Sequence, residues 1–285
     1  MRRSVFACSL MLGLTLVATE TLAQDEGGAG HPVRYVDRPL TLPERTLRID
    51  GHFPTMKLGY LPGNDVFFGF FAGAAYGIID DLEVAATLIP LTFTPDKVRF
   101  QDPVLGATYR FFHNDVIEIG VGGRFQIPVD DGRYFLFNPR LPIVIHAGDI
   151  VRIDTGVNLA VGAPIGGGDA IVGLFGPGKW APLPFMIDPG LPGKFSFQVI
   201  DQLYIAANTG FSVVSAFPGT VRGGDATVIV PIGWEVGGTI PKDDEPMVDI
   251  RGGFEFPYFL SSSVDDNPVS QVWVFHVGGS FYLPL

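Results

Sequence analysis

The chain has 285 residues, of which 47% are hydrophobic and 17% charged, a balance that excludes intrinsic disorder. Its 37 glycines and 24 prolines favour β-structure with many turns over helices. The formal net charge of −11 argues against nucleic acid as a partner, because a phosphate backbone selects basic surfaces. Beyond the first residues no run of about 18 uninterrupted apolar residues occurs, so the sequence predicts no transmembrane helix.

Residues 1–23 have the three-part layout of a secretory signal peptide. Met1-Arg2-Arg3 is basic, 5–18 is largely apolar, and a cleavage site follows Ala23. A membrane anchor is the alternative, but the apolar run is shorter than the roughly 20 residues that span a bilayer. The single cysteine, Cys8, lies in this segment, so we expect the mature chain to fold without disulfides.

Residues 24–44 are polar and contain glycine and proline, and we expect them to form a periplasmic N-terminal tail. The rest of the chain, 45–285, holds about twelve strand-like segments, each long enough to cross a bilayer when tilted. The predicted strands are 45–59, 65–78, 82–93, 102–112, 116–127, 134–147, 150–161, 182–200, 203–214, 226–240, 247–260 and 270–285. The eighth is the weakest, because four prolines interrupt it.

The segment 151–161 shows the alternation of these strands most clearly. Its odd-numbered residues are apolar or threonine, whereas Arg152, Asp154 and Asn158 occupy even positions. Successive side chains of a strand point to opposite faces, so this strand has one apolar and one polar face. The apolar face must be covered either by a partner sheet, as in a soluble β-sandwich, or by lipid.

Two kinds of connection alternate along the chain. Five are tight and acidic, and a strand follows each at once: 80–81, 115, 149, 201 and 244–245. Six are longer and looser: 61–65, 95–100, 128–132, 162–181, 215–225 and 261–269. This alternation of short turns with long loops is typical of up-and-down strands whose two chain ends lie on one side of a membrane.

If the apolar face of every strand points outward, the polar faces line the interior. The residues that we expect to line a pore are Arg48, Asp50, His52, Glu83, Arg110, Glu118, Arg124, Arg140, His146, Arg152, Asp154, Asn158, Glu235, Asp249, Arg251, Glu255 and His276. Arginine suits a crowded interior, because its planar fork binds several acceptors at once. Arginines and acids are similar in number, which favours ion pairs across the inner wall over a strongly charged tunnel.

The last predicted strand runs to the end of the chain with alternating apolar residues, including Phe281, Leu283 and Leu285. In this feature the chain resembles bacterial outer-membrane β-barrel proteins, whose final strand carries such an alternation as an insertion signal. Those proteins usually end in an aromatic residue, whereas this chain ends in Pro284-Leu285. The resemblance implies an all-β fold, a closed antiparallel up-and-down transmembrane β-barrel of about twelve strands in the outer membrane. It also implies that the last strand binds the outer-membrane insertion machinery.

The function expected of such a barrel is porin-like passive diffusion of small solutes through a charge-lined lumen. A plugged structural or adhesive barrel is the alternative, and an interfacial lipid hydrolase is a third. The sequence predicts no enzyme, metal or cofactor, because Ser280 follows two glycines without the residues of a nucleophile elbow. A soluble periplasmic β-sandwich is the alternative fold.

Overall fold

A computed structural model describes residues 31–58, 66–93, 98–129, 134–164, 186–214, 227–261 and 272–285. They contain one 3-10 turn, Tyr35–Asp37, and thirteen strands. The strands are β1 (Thr46–Leu58), β2 (Val66–Ile79), β3 (Leu82–Phe93), β4 (Val98–Phe100), β5 (Val104–His113), β6 (Ile117–Gln126), β7 (Tyr134–His146), β8 (Val151–Pro164), β9 (Met186–Ile200), β10 (Leu203–Val214), β11 (Thr227–Lys242), β12 (Glu245–Ser261) and β13 (Val272–Pro284). In this part of the chain no helix is long and apolar enough to cross a membrane.

The strands form one antiparallel sheet that closes on itself. From β5 to β13 each strand pairs with the next, β13 pairs with β1, and β1 with β2. Pairing of β2 with β3 and of β3 with β5 completes the circle. The short β4 pairs with the end of β3, so β4 and β5 share one place in the wall. The structure is therefore the predicted twelve-membered up-and-down barrel, and closure leaves no open edge to lipid.

Burial alternates along the strands as a barrel wall requires. In β13 the side chains of Val274, His276 and Tyr282 are buried, whereas Phe275 and Phe281 are about two-fifths exposed. The exposed side of the barrel carries many large apolar side chains, which would be unfavourable against water but not against lipid. The outward apolar face predicted from sequence is confirmed, and the soluble sandwich is excluded by closure.

A β-bulge changes the face of β3 within the wall. The pairing of β2 with β3 skips Leu88, because Ala72 pairs with Ile89 and Gly73 with Thr87. Glu83 is buried before the bulge, whereas Pro90 and Thr92, each an odd number of residues further along, are buried after it. The extra residue turns the side chains that follow it to the opposite faces of the sheet, which simple alternation does not predict.

The prolines of the eighth predicted strand do not prevent its pairing. β9 begins at Met186 and pairs with β8 on one side and β10 on the other, with Pro189 and Pro192 inside it. The carbonyl of Pro192 accepts a hydrogen bond of 2.9 Å from the Thr155 hydroxyl. Residues 182–185 of the predicted strand lie outside the described part of the chain.

The barrel has two ends, which we call the turn end and the loop end. The turn end carries the five tight connections and both ends of the described chain, since Thr46 pairs with Pro284. The loop end carries the longer connections, most of which lie outside the described residues. We call residues 31–44 the N-terminal segment. The sequence predicts a tail here, but these residues pack inside the turn end, with Val36, Leu40 and Leu42 almost completely buried.

Candidate functional site: the lumen and the N-terminal segment

The predicted pore-lining residues are all buried or half-buried in the structure. They divide into two groups by their contacts. One group holds the N-terminal segment: Glu83, Glu118, His146, Arg152 and Asp249. The others form pairs along the wall or surround open space deeper in the barrel. The interior is therefore filled at the turn end and less so beyond it.

Arg38 is the centre of the contacts between the segment and the wall. Its Nη1 atom donates to Oδ2 of Asp249 on β12 at 2.5 Å, and its Nη2 atom donates to Oδ1 of the same residue at 3.0 Å. Thr239 and Tyr282 donate hydroxyl hydrogen bonds of 2.8 and 2.7 Å to the same carboxylate. A buried guanidinium and carboxylate in this forked geometry satisfy each other's charge and hydrogen-bonding capacity.

Three wall side chains accept hydrogen bonds from the backbone of the segment. The amide of Leu40 donates to Glu118 at 3.0 Å and that of Leu42 to Glu83 at 3.3 Å. The amide of Val36 donates to the side-chain oxygen of Gln198 at 3.2 Å. Buried amides need such acceptors, so the wall replaces the water that a free tail would use.

Glu118 links the segment to two further wall residues. Arg110 donates to its carboxylate at 3.0 Å and to Asp81 at 2.8 Å. The other Glu118 oxygen lies 2.8 Å from Nε2 of His146, whose Nδ1 lies 2.8 Å from the Val36 carbonyl. The carbonyl and the carboxylate are both hydrogen-bond acceptors, so each ring nitrogen of His146 faces an acceptor. This network ties the turn between β2 and β3 to the centre of the segment.

An aromatic and cationic cluster holds the start of the segment. Tyr35 stacks on Tyr204 with ring centroids 4.1 Å apart. Lys194 lies 4.7 Å from the Tyr35 centroid, donates to the Tyr35 hydroxyl at 3.0 Å and pairs with Glu235 at 2.8 Å. Cation–π contact and ion pairing together allow a lysine to be buried here. Sequence reasoning missed Lys194 as an inward residue, although Ser196 and Gln198 share its parity and are also buried.

The strand on which the alternation is clearest contributes Arg152. Its guanidinium is completely buried and binds Asp154 two residues away through Nε and NH2, at 2.6 to 3.0 Å. Its remaining nitrogen, NH1, donates to the backbone carbonyl of Arg38. The Arg152 guanidinium therefore binds the wall through Asp154 and the N-terminal segment through the Arg38 carbonyl.

Two titratable groups of the segment have pKa values shifted by their surroundings. Burial alone would lower the pKa of the Arg38 guanidinium, but the Asp249 carboxylate outweighs burial and raises that pKa above its usual range. Burial lowers the pKa of His31 well below its usual value, and the positive charge of Arg38 lowers it further. Arg38 is therefore charged and His31 neutral while the segment is docked.

Beyond the segment lies a cavity of about 80 Å³ in the middle of the barrel. Its lining includes Arg48, Arg124 and Arg140 together with Asp50 and Glu83. The sequence predicted each of these as a lining residue, and the structure brings them to one side of the lumen. Nearby, the rings of His52 and His276 lie 5.4 Å apart.

Toward the loop end the inner wall becomes apolar. Met56, Phe67, Leu136, Val272 and Val274 are all at least 94% buried and share the inward parity of their strands. Parity alone predicted a polar interior throughout, so it missed these residues. A continuous apolar run carries no signal for which of its faces points inward.

The chain is similar in fold to several solved outer-membrane channels. The chain matches the COG4313 outer membrane channel from Pseudomonas putida F1 with a TM-score of 0.61 and 10% identity, over 91% of this chain and 100% of that one. It matches the NanC porin with a TM-score of 0.57 and 8% identity, over 82% and 100% of the two chains. A KdgM porin in complex with disordered oligogalacturonate matches with a TM-score of 0.52 and 8% identity, over 82% and 98%.

In sequence, no protein-family model and no curated protein matches the chain. Identities of 10% or less make the likeness one of fold. The class of protein is nevertheless defined: the chain is an outer-membrane β-barrel, whose exposed apolar belt lies in the lipid bilayer. The architecture predicted from the sequence is confirmed.

Proposed function

We propose that this barrel is a channel for passive diffusion of small solutes and that the N-terminal segment is its gate. The observation that carries the proposal is the charged inner wall, which encloses a cavity directly beyond a segment fastened by side-chain contacts. A barrel with a purely structural role needs no such polar interior. The residues that we assign to the solute path are the seventeen predicted from sequence.

The way in which the segment is attached suits a gate. The described chain shows no backbone-to-backbone hydrogen bond between residues 31–42 and the strands. The Pro43 carbonyl accepts one from the Thr46 amide at 3.0 Å at the start of β1, and attachment to a neighbouring strand begins at Arg45, whose amide donates to the Gly77 carbonyl at 2.8 Å. Release of the segment therefore leaves every strand pairing of the barrel intact.

We further propose the orientation and biogenesis that the sequence indicates. Residues 1–23 act as a cleaved signal peptide, the turn end faces the periplasm, and the last strand binds the insertion machinery. Phe281 and Leu285 face outward, as a signal read from outside the barrel needs to. Mass spectrometry of the mature protein tests the first part, since a chain that begins at Gln24 is expected and an uncut chain contradicts it.

We propose no catalytic role for the interior. His146 already uses both ring nitrogens, one on the Val36 carbonyl and one on Glu118. A histidine held in this way is a positioning group for the segment rather than a free base. Phospholipid turnover by the purified protein, lost on His146→Gln, would contradict this.

Solute flux into vesicles tests the channel directly. Purified protein in liposomes is expected to admit small neutral and charged solutes at a rate that rises when the segment is released by Arg38→Met. A set of solutes of increasing size gives the cut-off of the open lumen. Vesicles that stay tight with both proteins would contradict the proposal.

A structural or adhesive barrel is the second candidate, and the filled turn end favours it. The buried side chains of Val36, Leu40 and Leu42 and the buried ion pair of Arg38 with Asp249 close that end. The two functions differ in one outcome. A structural barrel stays impermeable after the segment is released, whereas a channel conducts.

A further inference from the structure

The mid-lumen cavity contains a guanidinium, that of Arg140, that forms no ion pair among the described residues. Arg140 on β7 donates from NH2 to the Thr108 hydroxyl at 2.6 Å. Its Nε atom is shielded from solvent and has no hydrogen-bond partner in the described residues. No carboxylate of these residues lies within 4.0 Å of the guanidinium to form an ion pair. A desolvated guanidinium in this state favours binding of an anion.

The two acids that line the cavity are engaged elsewhere. Asp50 accepts hydrogen bonds from Arg48 at 2.9 Å and from the Ser280 hydroxyl at 2.6 Å. Glu83 accepts the amide of Leu42 in the N-terminal segment. Neither carboxylate lies within 4.0 Å of the Arg140 guanidinium, and the lining holds three arginines against these two acids, so the cavity carries an excess of positive charge.

Gly122 makes room for the Arg140 side chain at the wall of this cavity. A Cβ atom on Gly122 would lie 3.2 Å from Nε of Arg140 and 2.6 Å from the Ala107 carbonyl, so the Arg140 side chain packs over bare backbone. Arg124 lines the same cavity and adds positive charge. The lining also includes the apolar side chains of Phe71, Ala85 and Val104. Positive charge and hydrocarbon in one cavity match a short amphipathic anion.

We infer that this cavity binds a small monocarboxylate, with its carboxylate on Arg140 and its hydrocarbon chain against Phe71 and Val104. A planar guanidinium fork matches the geometry of a carboxylate. The volume of about 80 Å³ holds roughly five water-sized groups, which is the size of a carboxylate with a short alkyl chain. The inference rests on the proposed channel function, because it gives the class of solute that the lumen selects.

Equilibrium dialysis of radiolabelled butyrate against the full mature protein in detergent tests the site. Wild type is expected to bind one butyrate, and Arg140→Gln is expected to weaken binding at least tenfold. Arg45→Gln is the matched control, because Arg45 is exposed at the turn end and outside the cavity; binding should be unchanged. Thr108→Ala, which frees the guanidinium from its anchor, should weaken binding by a smaller factor.

Two comparisons decide the chemical class. Inorganic phosphate should compete weakly and butanol should not compete, because the site needs a planar carboxylate and a negative charge. Equal competition by phosphate, or equal binding by wild type and Arg140→Gln, would overturn the inference. Heat-modifiable gel migration of each variant shows that the barrel has folded, and Arg140→Lys should restore part of the affinity.

Dialysis measures binding whether or not solute crosses the barrel. The vesicle assay with neutral solutes measures passage without any need for the site. Butyrate binding with no flux would refute the channel and leave the site, whereas flux with no binding would refute the site and leave the channel. The two failures are therefore distinguishable.

Discussion

Arg38 and Asp249 are 211 residues apart in the sequence and share two hydrogen bonds inside the barrel. The Arg38 side chain is completely buried and that of Asp249 is 11% exposed. Arg38 also donates to the backbone carbonyls of Pro32 and Val33 and to the hydroxyls of Thr239 and Tyr282. It therefore fixes both the fold of the segment and its place against the wall. The ion pair with Asp249 is a buried, charge-assisted attachment of the N-terminal segment to the wall.

Arg38→Met should release the segment. Loss of one partner leaves a buried carboxylate without its charge partner, which typically costs about 3–5 kcal/mol. Thermolysin cleavage within residues 31–44 should accelerate at least roughly 100-fold, since each 1.4 kcal/mol is about a factor of ten. Arg45→Met is the control, because the Arg45 side chain is 72% exposed. Equal cleavage of wild type and Arg38→Met would show that the ion pair does not hold the segment.

Gly77→Val should displace the segment by crowding. A Cβ atom on Gly77 would lie 1.9 Å from the Pro43 carbonyl oxygen and 2.7 Å from that of Leu42. Overpacking of this kind typically costs about 1–3 kcal/mol, so cleavage should rise about tenfold or more. Gly51→Val is a matched control, because a Cβ there meets nothing within 4 Å. If both variants behave alike, the close approach at Gly77 is unimportant for docking.

Acid should weaken docking through His31. Its pKa is lowered well below 6.5 in the docked state by burial and by Arg38, whereas a released segment restores an ordinary value. Only the released state then takes up a proton as the pH falls below about 6.5, so docking is lost at up to about 1.4 kcal/mol per pH unit. The other charged groups facing His31 are Asp249, which opposes the shift, and Arg48 and Arg152, which add to it.

The pH effect is measured as the thermolysin cleavage rate at pH 7.5 and 5.5. The ratio of wild type to His31→Gln removes the pH dependence of the protease, because glutamine does not titrate. This ratio should rise roughly tenfold on acidification. A ratio that is the same at both pH values would contradict the buried neutral state of His31.

Two adjacent residues of β8 test the assignment of faces. Val157 is 46% exposed near the middle of the strand, and Asn158 is half-buried on the inner side. Val157→Arg should lower the free energy of unfolding in lipid vesicles by about 2–4 kcal/mol, because it places a charge in the bilayer core. Asn158→Arg should cost clearly less. Urea titration in vesicles measures both free energies of unfolding. A larger loss for Asn158→Arg than for Val157→Arg would mean that the Asn158 face, and not the Val157 face, contacts lipid.

The sequence predicted the barrel well because strand alternation is a local property. Each of the twelve predicted strands overlaps a strand of the wall, and the predicted inward residues lie on the inner side. Local pattern failed where the face changes within a strand, as at Leu88, since a bulge depends on pairing with the neighbour. It also gave no reason to bury Lys194, whose partners Glu235 and Tyr35 are distant in the chain.

Docking of the N-terminal segment was not predictable from its own residues. A short polar stretch with glycine and proline is typical of a tail, and only the wall supplies acceptors for the amides of Leu40 and Leu42. Val36 and the two leucines are too few to form a recognisable core alone. The one available signal was Arg38 next to apolar neighbours, in a chain whose inner wall has slightly more acids than arginines.

Conductance in planar lipid bilayers tests the gated channel most directly. Mature wild-type protein should be closed or show brief small openings, and a chain that lacks residues 24–44 should show long, discrete and larger steps. Heat-modifiable gel migration confirms that the shortened chain has folded. A shortened, folded barrel that stays silent would contradict the account, as would conductance equal to that of wild type.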